Sequence, residues 1–470
     1  VASPKRNRES LLEIAYKSQE MQIIVALALL PAAAAFVSAP RSSPTRGVRA
    51  AALPDSQRVV VTGLGPVSGL GLDVDTFWNA LLDGKSSLAT VSRFDPADYN
   101  CQIASQVSDD FKAGDYFTSA KSAKSNDRYT WFGVAGARIA MEDAKLDPSS
   151  VDGERMGVCV GSAFGGMETY ETMTLKNDKM GPKKVGPFTI PALLGNTASG
   201  VIGIELGAKG PNYGLVSACA SASHAMGEAQ AAIQRGDADV MIAGGCEAPL
   251  TPLSFAGFCS MKAMTTQYNN DPTQGSRPFD ADRCGFVMGE GAGVVILESL
   301  EHALKRGADI YCELVGYGAS CDAHHITTPA PGGEGLARAM ELALKKGGVT
   351  DKTKVGYVNA HGTSTAYNDK FETMAIKSVF GDHAPDLLIS SIKGGTGHTL
   401  GAAGGLEAIA CAKAIRHSKA PPTVNYKTPD PDCDLNYVPN KPIEAEIQVA
   451  VSTNLGFGGH NAAVVFRKLE

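Results

Sequence analysis

The sequence has no Cys-x-x-Cys pair among its ten cysteines and no cluster of His, Asp and Glu at metal-ligand spacing. In a chain of 470 residues the first absence excludes a disulfide-stapled scaffold and points to a reducing compartment. The second leaves no transition-metal site to read, and the adjacent His324 and His325 are expected to be loop or pocket-wall residues. Membrane-length apolar runs are also missing. The stretch from Ile23 to Val37, interrupted by Pro31, is too short and too rich in Ala for a span, so no stable membrane insertion is expected. Positive charge is scarce as well: the net charge is −6 overall and −9 over residues 56–470, which excludes a general nucleic-acid binder. An acidic partner has to meet a local basic patch.

No acidic residue occurs between Met21 and Pro54, and Arg41, Arg46 and Arg49 lie among serines there. Together with the apolar core and Phe36 after the alanines, residues 1–55 read as a removable targeting presequence, with Met21 as the expected initiator. The pattern resembles the two-part presequences of algae with secondary plastids, which implies the plastid stroma; a mitochondrial transit peptide is the alternative.

Against these absences stand 52 glycines and 44% hydrophobic residues, enough for a large core in two halves. Apolar strand-like runs alternate with helical patterns: Val59–Thr62 before a helix at Val74–Leu82, then Met156–Val160, Val240–Ala243, Gly293–Leu297, Val355–Asn359, Leu388–Ser390 and Val449–Ser452. Alternation of this kind predicts α/β layers, and the fully apolar strands predict sheets covered on both faces. A charged helix around Glu301–Asp309 suggests a division into residues 56–309 and 310–470.

Four loops carry the chemistry. Cys219 lies in Val216-Ser217-Ala218-Cys219-Ala220-Ser221-Ala222, just before helical periodicity from Ala222 to Gln234. A thiol on a first helical turn is expected to be shifted toward thiolate. His361 stands in Asn359-Ala360-His361-Gly362-Thr363-Ser364-Thr365, His398 in Lys393-Gly394-Gly395-Thr396-Gly397-His398, and the fourth loop is Gly456-Phe457-Gly458-Gly459. Each residue alone is as easily structural. One Cys in a run of small residues and two His on separate glycine-rich loops point to acyl transfer through a thioester.

These segments, with Arg58-Val59-Val60-Val61-Thr62-Gly63, Ser276-Arg277-Pro278-Phe279-Asp280 and Asn454-Leu455-Gly456-Phe457, closely resemble the β-ketoacyl-[acyl-carrier-protein] synthases from about Arg58 to Lys468. The resemblance implies a thiolase-like fold of two related halves in five α-β-α-β-α layers. It implies a homodimer that condenses malonyl-carrier with an acyl-enzyme to give 3-oxoacyl-carrier. Cys219 would be the nucleophile and His361 and His398 would hold the enolate oxygen, with Lys393 and an acidic partner, Glu372, positioning the His loop. Backbone N–H groups of Cys219 and Phe457, the latter between Gly456 and Gly458, would form the oxyanion hole. Thr363 and Thr365 would bind the phosphopantetheine arm, Phe164 would line the acyl tunnel, and Lys183, Lys184 and Lys262 would face the acidic acyl carrier protein. No cofactor is required beyond the carrier's phosphopantetheine, although Asn359, Ala360, Glu407, Thr453 and Asn454 match a monovalent-cation site found in the family.

The chain departs from that pattern at Cys284, usually Asp, at Leu455, usually Phe, and at Gly394-Gly395, usually bulkier. Those two glycines imply either a freer His398 loop or compensating packing. Phe164, commonly a smaller aliphatic residue, implies short or medium acyl primers. A thiolase would show a second Cys near the C-terminus, but none follows Cys433. A third-type ketosynthase would show Cys-His-Asn, and a chain-length-factor-like partner would lack Cys219. The motifs are common to the type I and type II elongating synthases.

Overall fold

A computed structural model describes residues 53–470, so the expected presequence lies almost wholly outside the described residues. Ten strands form the main sheet: β1 (Val59–Val67), β2 (Met156–Gly161), β3 (Asn212–Leu215), β4 (Val240–Glu247), β5 (Gly291–Ser299), β6 (Cys312–Cys321), β7 (Val355–Asn359), β8 (Leu388–Ser390), β9 (Val449–Gly456) and β10 (His460–Arg467). Their order is β8-β7-β9-β10-β6-β1-β5-β4-β2-β3. Between β6 and β1 only two residue pairs connect, Val60 with Glu313 and Val61 with Cys312. That thin seam divides the sheet into two fives.

The two fives repeat one another. Numbered within its own half, each reads third, second, fourth, fifth, first. In both, the third, second and fourth strands are parallel and the fourth, fifth and first antiparallel. The helices repeat too: α1 (Arg128–Asp143), α2 (Thr197–Leu206) and α3 (Ser221–Gln234) follow the first, second and third strands of one half. The corresponding helices of the other are α4 (Glu334–Lys346), α5 (Ala366–Phe380) and α6 (Ala403–His417). α1 and α2 cover one outer face, α4 and α5 the other, and α3 and α6 meet between the sheets, which makes the five layers.

Burial explains the apolar strand composition. Every residue of β1, β2, β4 and β5 is buried, as expected where helices lie on both faces. Central packing is close enough to require glycine: a Cβ on Gly405 of α6 would lie 2.0 Å from the Gly293 carbonyl oxygen of β5. The expected strands at Val355–Asn359 and Leu388–Ser390 and the helix at Val74–Leu82 have the observed bounds. Strand β6 begins at Cys312, and the charged helix covers Leu300–Lys305. No helix of the described residues is long and apolar enough to cross a membrane.

Candidate active site

The duplication positions the reactive groups. In open α/β sheets ligands gather beyond the carboxyl ends of parallel strands, and all the predicted loops lie there. Cys219 occupies the link between β3 and α3, and His398 the equivalent link between β8 and α6 in the other half. The two residues meet across the pseudo-twofold with Cys219 Sγ 3.0 Å from His398 Nε2. His361, after β7, completes the group, its ring 5.2 Å from that of His398 and nearly perpendicular to it. All three side chains are buried.

Local backbone strain aims these groups. Cys219 sits in a short 3-10 turn, Ala218–Ala220, entered through Ala218 at φ 51°, and Leu400, two residues beyond His398, has φ 48°. Left-handed backbone at non-glycine residues costs of order 1–3 kcal/mol and persists only where surroundings impose it. The Ser221 hydroxyl helps: it accepts from Ser217 N–H at 2.9 Å and donates to the Ala218 carbonyl at 2.7 Å. Gly456 then lies flush on this turn, since a Cβ there would be 2.6 Å from the Ser217 carbonyl oxygen. That close approach brings the Phe457 loop alongside Cys219.

The expected thiolate is not what the structure holds at rest. Burial pushes the Cys219 thiol up to about 12, and the nearby Lys393 offsets only part of that rise. His361 and His398 are both driven well below the ordinary imidazole range, by burial first and by Lys393 second. The directions of these shifts favour a neutral thiol and two neutral imidazoles at rest. Proximity to α3 does not outweigh loss of water.

The two imidazoles differ in what fixes them. His361 Nδ1 faces Lys393 Nζ at 3.4 Å and Asn454 Nδ2 at 3.2 Å, both donors, so Nδ1 accepts and Nε2 carries the proton. His398 Nδ1 is buried with no hydrogen-bond partner among the described residues. Protein contacts lock one tautomer of His361 and leave that of His398 open. This also bears on metals. Cys219, His361 and His398, grouped in the sequence as a catalytic set, each bring one ligand atom within 4.8 Å of the others. A zinc ion bridging all three needs a lone pair on each His, which the locked His361 does not offer there.

One predicted partnership is corrected. Lys393 pairs not with Glu372 but with Glu407, and its Nζ also donates to the His361 carbonyl oxygen at 2.6 Å. Glu407 Oε2 accepts from Asn454 Nδ2 at 2.7 Å. Glu372 instead accepts from the backbone N–H groups of His361 and Gly362, each at 2.8 Å, and from the Thr453 hydroxyl at 2.8 Å. Burial pushes Glu372 up to about 7 against those donors. The difference has a plain cause: both acids are distant from Lys393 along the chain, Glu407 by fourteen positions, and only the folded packing of α6 decides which of them meets it.

Of the residues matched to a cation site, Asn359 offers a buried Oδ1 with no partner among the described residues. Asn454 Oδ1 accepts from Ser223, Thr453 donates to Glu372, and Glu407 is committed to Lys393 and Asn454. Ala360 N–H bonds the Ser390 carbonyl at 2.9 Å.

A cavity of about 710 Å³ opens onto Cys219 and His398, and Phe164, Thr363, Thr365, Phe457 and Lys262 all line it. The hydroxyls of Thr363 and Thr365 lie 3.0 Å apart. Phe164 is 41% exposed and stacks edge-on to Phe258 at 6.1 Å. Cys284 and Leu455 line the same cavity, Cys284 Sγ bonding Thr265 Oγ1 at 2.9 Å. Lys183 and Lys184 lie exposed on the turn Pro182–Lys184 and are not cavity residues. Gly394 and Gly395 are compensated by packing: a Cβ on Gly394 would be 2.4 Å from Val424 Cγ2, and Ser87 donates both N–H and hydroxyl to the Gly395 carbonyl. Sequence reasoning missed Glu247, a fully buried acid at the end of β4. Its only signal was an acidic residue closing the apolar run Val240-Met241-Ile242-Ala243.

Residues 56–303 match the family model "Beta-ketoacyl synthase, N-terminal domain" and residues 311–427 match "Beta-ketoacyl synthase, C-terminal domain". A 3-oxoacyl-[acyl-carrier-protein] synthase 2 of Synechocystis sp. is 47% identical over 417 residues, covering 88% of this chain and 99% of the relative. One of Staphylococcus aureus is 47% identical over 415 residues, again 88% of this chain and 99% of the relative. Among solved structures, a type II polyketide ketosynthase in complex with its acyl-carrier protein has a TM-score of 0.81 at 36% identity, covering 88% of this chain and 99% of its own. A β-ketoacyl synthase from Burkholderia phymatum has a TM-score of 0.81 at 33% identity, with 88% and 100% covered.

The Lys393–Glu407 pair gives a stability test. Glu407→Ala leaves a buried ammonium without its counter-charge and is expected to cost about 3–5 kcal/mol in urea unfolding. Adding Lys393→Met removes the stranded charge and is expected to recover most of that loss. Equal stability of the single and double variants would contradict the pairing.

Proposed function

The chain belongs to the β-ketoacyl synthase family, and from that premise we propose how its site performs the elongating condensation of type II fatty-acid synthesis. It is an acyltransferase: malonyl-carrier loses carbon dioxide and its carbanion joins an acyl-enzyme thioester, giving 3-oxoacyl-carrier. One observation carries the assignment of roles, the contact of Cys219 Sγ with His398 Nε2 at 3.0 Å.

In the first half-reaction Cys219 sulfur attacks the acyl-carrier thioester. The thiol proton passes to His398 Nε2 as the bond forms, and from there to the departing carrier thiolate. Concerted transfer suits a thiol held near 12, because no free thiolate has to accumulate. The oxyanion is received by the N–H groups of Cys219 and Phe457; loss of one such donor costs roughly 3–4 kcal/mol.

In the second half-reaction malonyl decarboxylates and charge moves onto its thioester oxygen. His361, locked with its proton on Nε2, is a permanent donor to that oxygen. His398, with an open tautomer, serves as acceptor first and as donor afterwards. The enolate carbon then attacks the acyl carbonyl and the Cys219 thiolate leaves, to be reprotonated. Lys393 holds His361 through its Nδ1 and its carbonyl.

Thr363 and Thr365 supply hydroxyls for the pantetheine arm, and Lys183, Lys184 and Lys262 draw the acidic carrier, a steering effect sensitive to salt. Phe164, a phenyl group in the cavity wall, favours short and medium chains. A monovalent cation has one support, the unpartnered Asn359 Oδ1. The rest of that set is bonded internally, and no step is routed through an ion. Pairing of two copies is supported by the open edge of β3 and the apolar side chains beside it: Ile204 of α2 is 80% exposed, Ile190 63% and Phe188 55%. An uncovered sheet edge with such neighbours is a self-association surface.

Mass spectrometry with acyl-carriers of graded length tests the roles. His361→Ala is expected to keep acylation of Cys219 but lose malonyl decarboxylation by about 10²-fold or more; Cys219→Ser is expected to slow condensation by a comparable factor. Hexanoyl-carrier should turn over faster than palmitoyl-carrier, and equal rates would refute the reading of Phe164. Neutralising Lys183, Lys184 and Lys262 together is expected to raise KM for the carrier substrates with kcat little changed; an unaltered KM removes these lysines from the docking surface. Ile204→Glu is expected to shift sedimentation from dimer to monomer, and a variant that still sediments as the wild type contradicts this interface.

A further inference from the structure

Glu247 has no part in the chemistry above, yet it is among the most completely enclosed charges near the site. Its side chain is fully buried, and no cation pairs with it among the described residues. Four donors converge on it from two loops. Oε1 accepts from the Ser162 hydroxyl at 2.9 Å and from Phe164 N–H at 3.3 Å. Oε2 accepts from Ala163 N–H at 2.6 Å and from Gly401 N–H at 3.0 Å. The first three donors belong to the loop after β2 that presents Phe164 to the cavity. The fourth lies three residues beyond His398.

The remaining contacts make this junction stiff. Ser162 Oγ, while donating to Glu247, accepts from Gly165 N–H at 2.9 Å, closing the Phe164 loop on itself. Gly166 N–H bonds the Leu193 carbonyl at 3.1 Å, anchoring the loop's far side. On the other loop, His398 N–H bonds the Val287 carbonyl at 2.7 Å. There is no slack between the loops: a Cβ on Gly401 would lie 2.4 Å from Ala163 nitrogen and 2.5 Å from Glu247 Oε2. The other half of the duplicated fold uses the same device. There Glu372 accepts two consecutive N–H groups, those of His361 and Gly362, in the loop after β7, which is the counterpart of β2. One carboxylate holds the loop that bears His361; the other holds the loop that bears Phe164.

We propose that Glu247 is a positioning residue that clamps the Phe164 loop to the His398 loop, so that one carboxylate sets both acyl-chain discrimination and the placement of His398. A chain that presses on Phe164 then works against hydrogen bonds that also locate the imidazole. Burial raises Glu247 to about 7, and the Ser162 hydroxyl and the three N–H groups work against that rise. The selectivity half of this proposal rests on Phe164 as the chain-length gate.

Glu247→Gln keeps the shape but turns one oxygen into a donor facing donors. The expected result is a rise of about tenfold in the palmitoyl-to-hexanoyl ratio of kcat/KM, the worth of one charge-assisted hydrogen bond, with slower malonyl decarboxylation. In a Phe164→Ala background the same substitution should leave the ratio where Phe164→Ala has put it and still slow decarboxylation. Ser162→Ala, a milder change, should move the ratio in the same direction and covers the case in which Glu247→Gln fails to fold. Glu247→Gln, or Ser162→Ala in its stead, overturns the proposal by lowering all rates equally or by leaving both readouts unchanged. If Phe164→Ala itself does not shift the ratio, the gate reading fails and takes the selectivity half with it. If Phe164→Ala shifts it and Glu247→Gln does not, Glu247 alone is at fault.

Discussion

Exclusion of water governs this site more than any single contact. Cys219, His361, His398, Lys393, Glu247, Glu372 and Glu407 are all buried, so each must find its compensation within the protein or remain neutral. Lys393 and Glu407 compensate one another, and that pair orients His361 through Nδ1. Glu247 and Glu372 are compensated by backbone N–H groups, which obliges particular loops to approach them. Cys219 and the two imidazoles take the other course and stay uncharged. A water-excluded set of donors is suited to charge that appears only during reaction, because Cys219 and the two imidazoles are not themselves paired with a counter-ion.

Much of this was legible in the chain, and for physical reasons. Apolar runs such as Val240–Ala243 identified strands covered on both sides, and Cys219, His361 and His398 stood out because each lies in a short segment of small residues between a strand and a helix, rich in glycine around the two histidines. What the sequence obscured was pairing at a distance. Lys393 with Glu372 was a reasonable match of charge, but Glu407 reaches Lys393 only once α6 has packed between the sheets. The thiolate expectation failed in the same way: helix placement is local and readable, whereas the desolvation that outweighs it belongs to the assembled core. Gly394 and Gly395 looked like slack in the loop until Val424 and Ser87 were seen to fill the space around them.

The duplicated topology accounts for how so few loops supply so many roles. Cys219 and His398 come from equivalent strand-to-helix links of the two halves and face each other across the axis between β1 and β6. The loops after β2 and β7 are likewise counterparts, one specialised as a cavity wall and the other as a donor of His361. Each is held by its own buried acid. Symmetry of backbone with divergence of side chain lets one architecture furnish a thiol, two imidazoles and a wall.

The glycines at the chamber's rear limit where the molecule can be remodelled. Gly401 abuts Ala163 and Glu247, Gly456 abuts Ser217, and Gly405 abuts Gly293, each with backbone where a methyl group would go. Enlarging or shrinking the lumen from that side would displace main chain. Phe164, partly exposed and edge-on to Phe258, is a cavity-wall side chain whose exchange would displace no main chain. Diversification of product length within this scaffold is thereby channelled toward the front wall, leaving the rear nearly immutable.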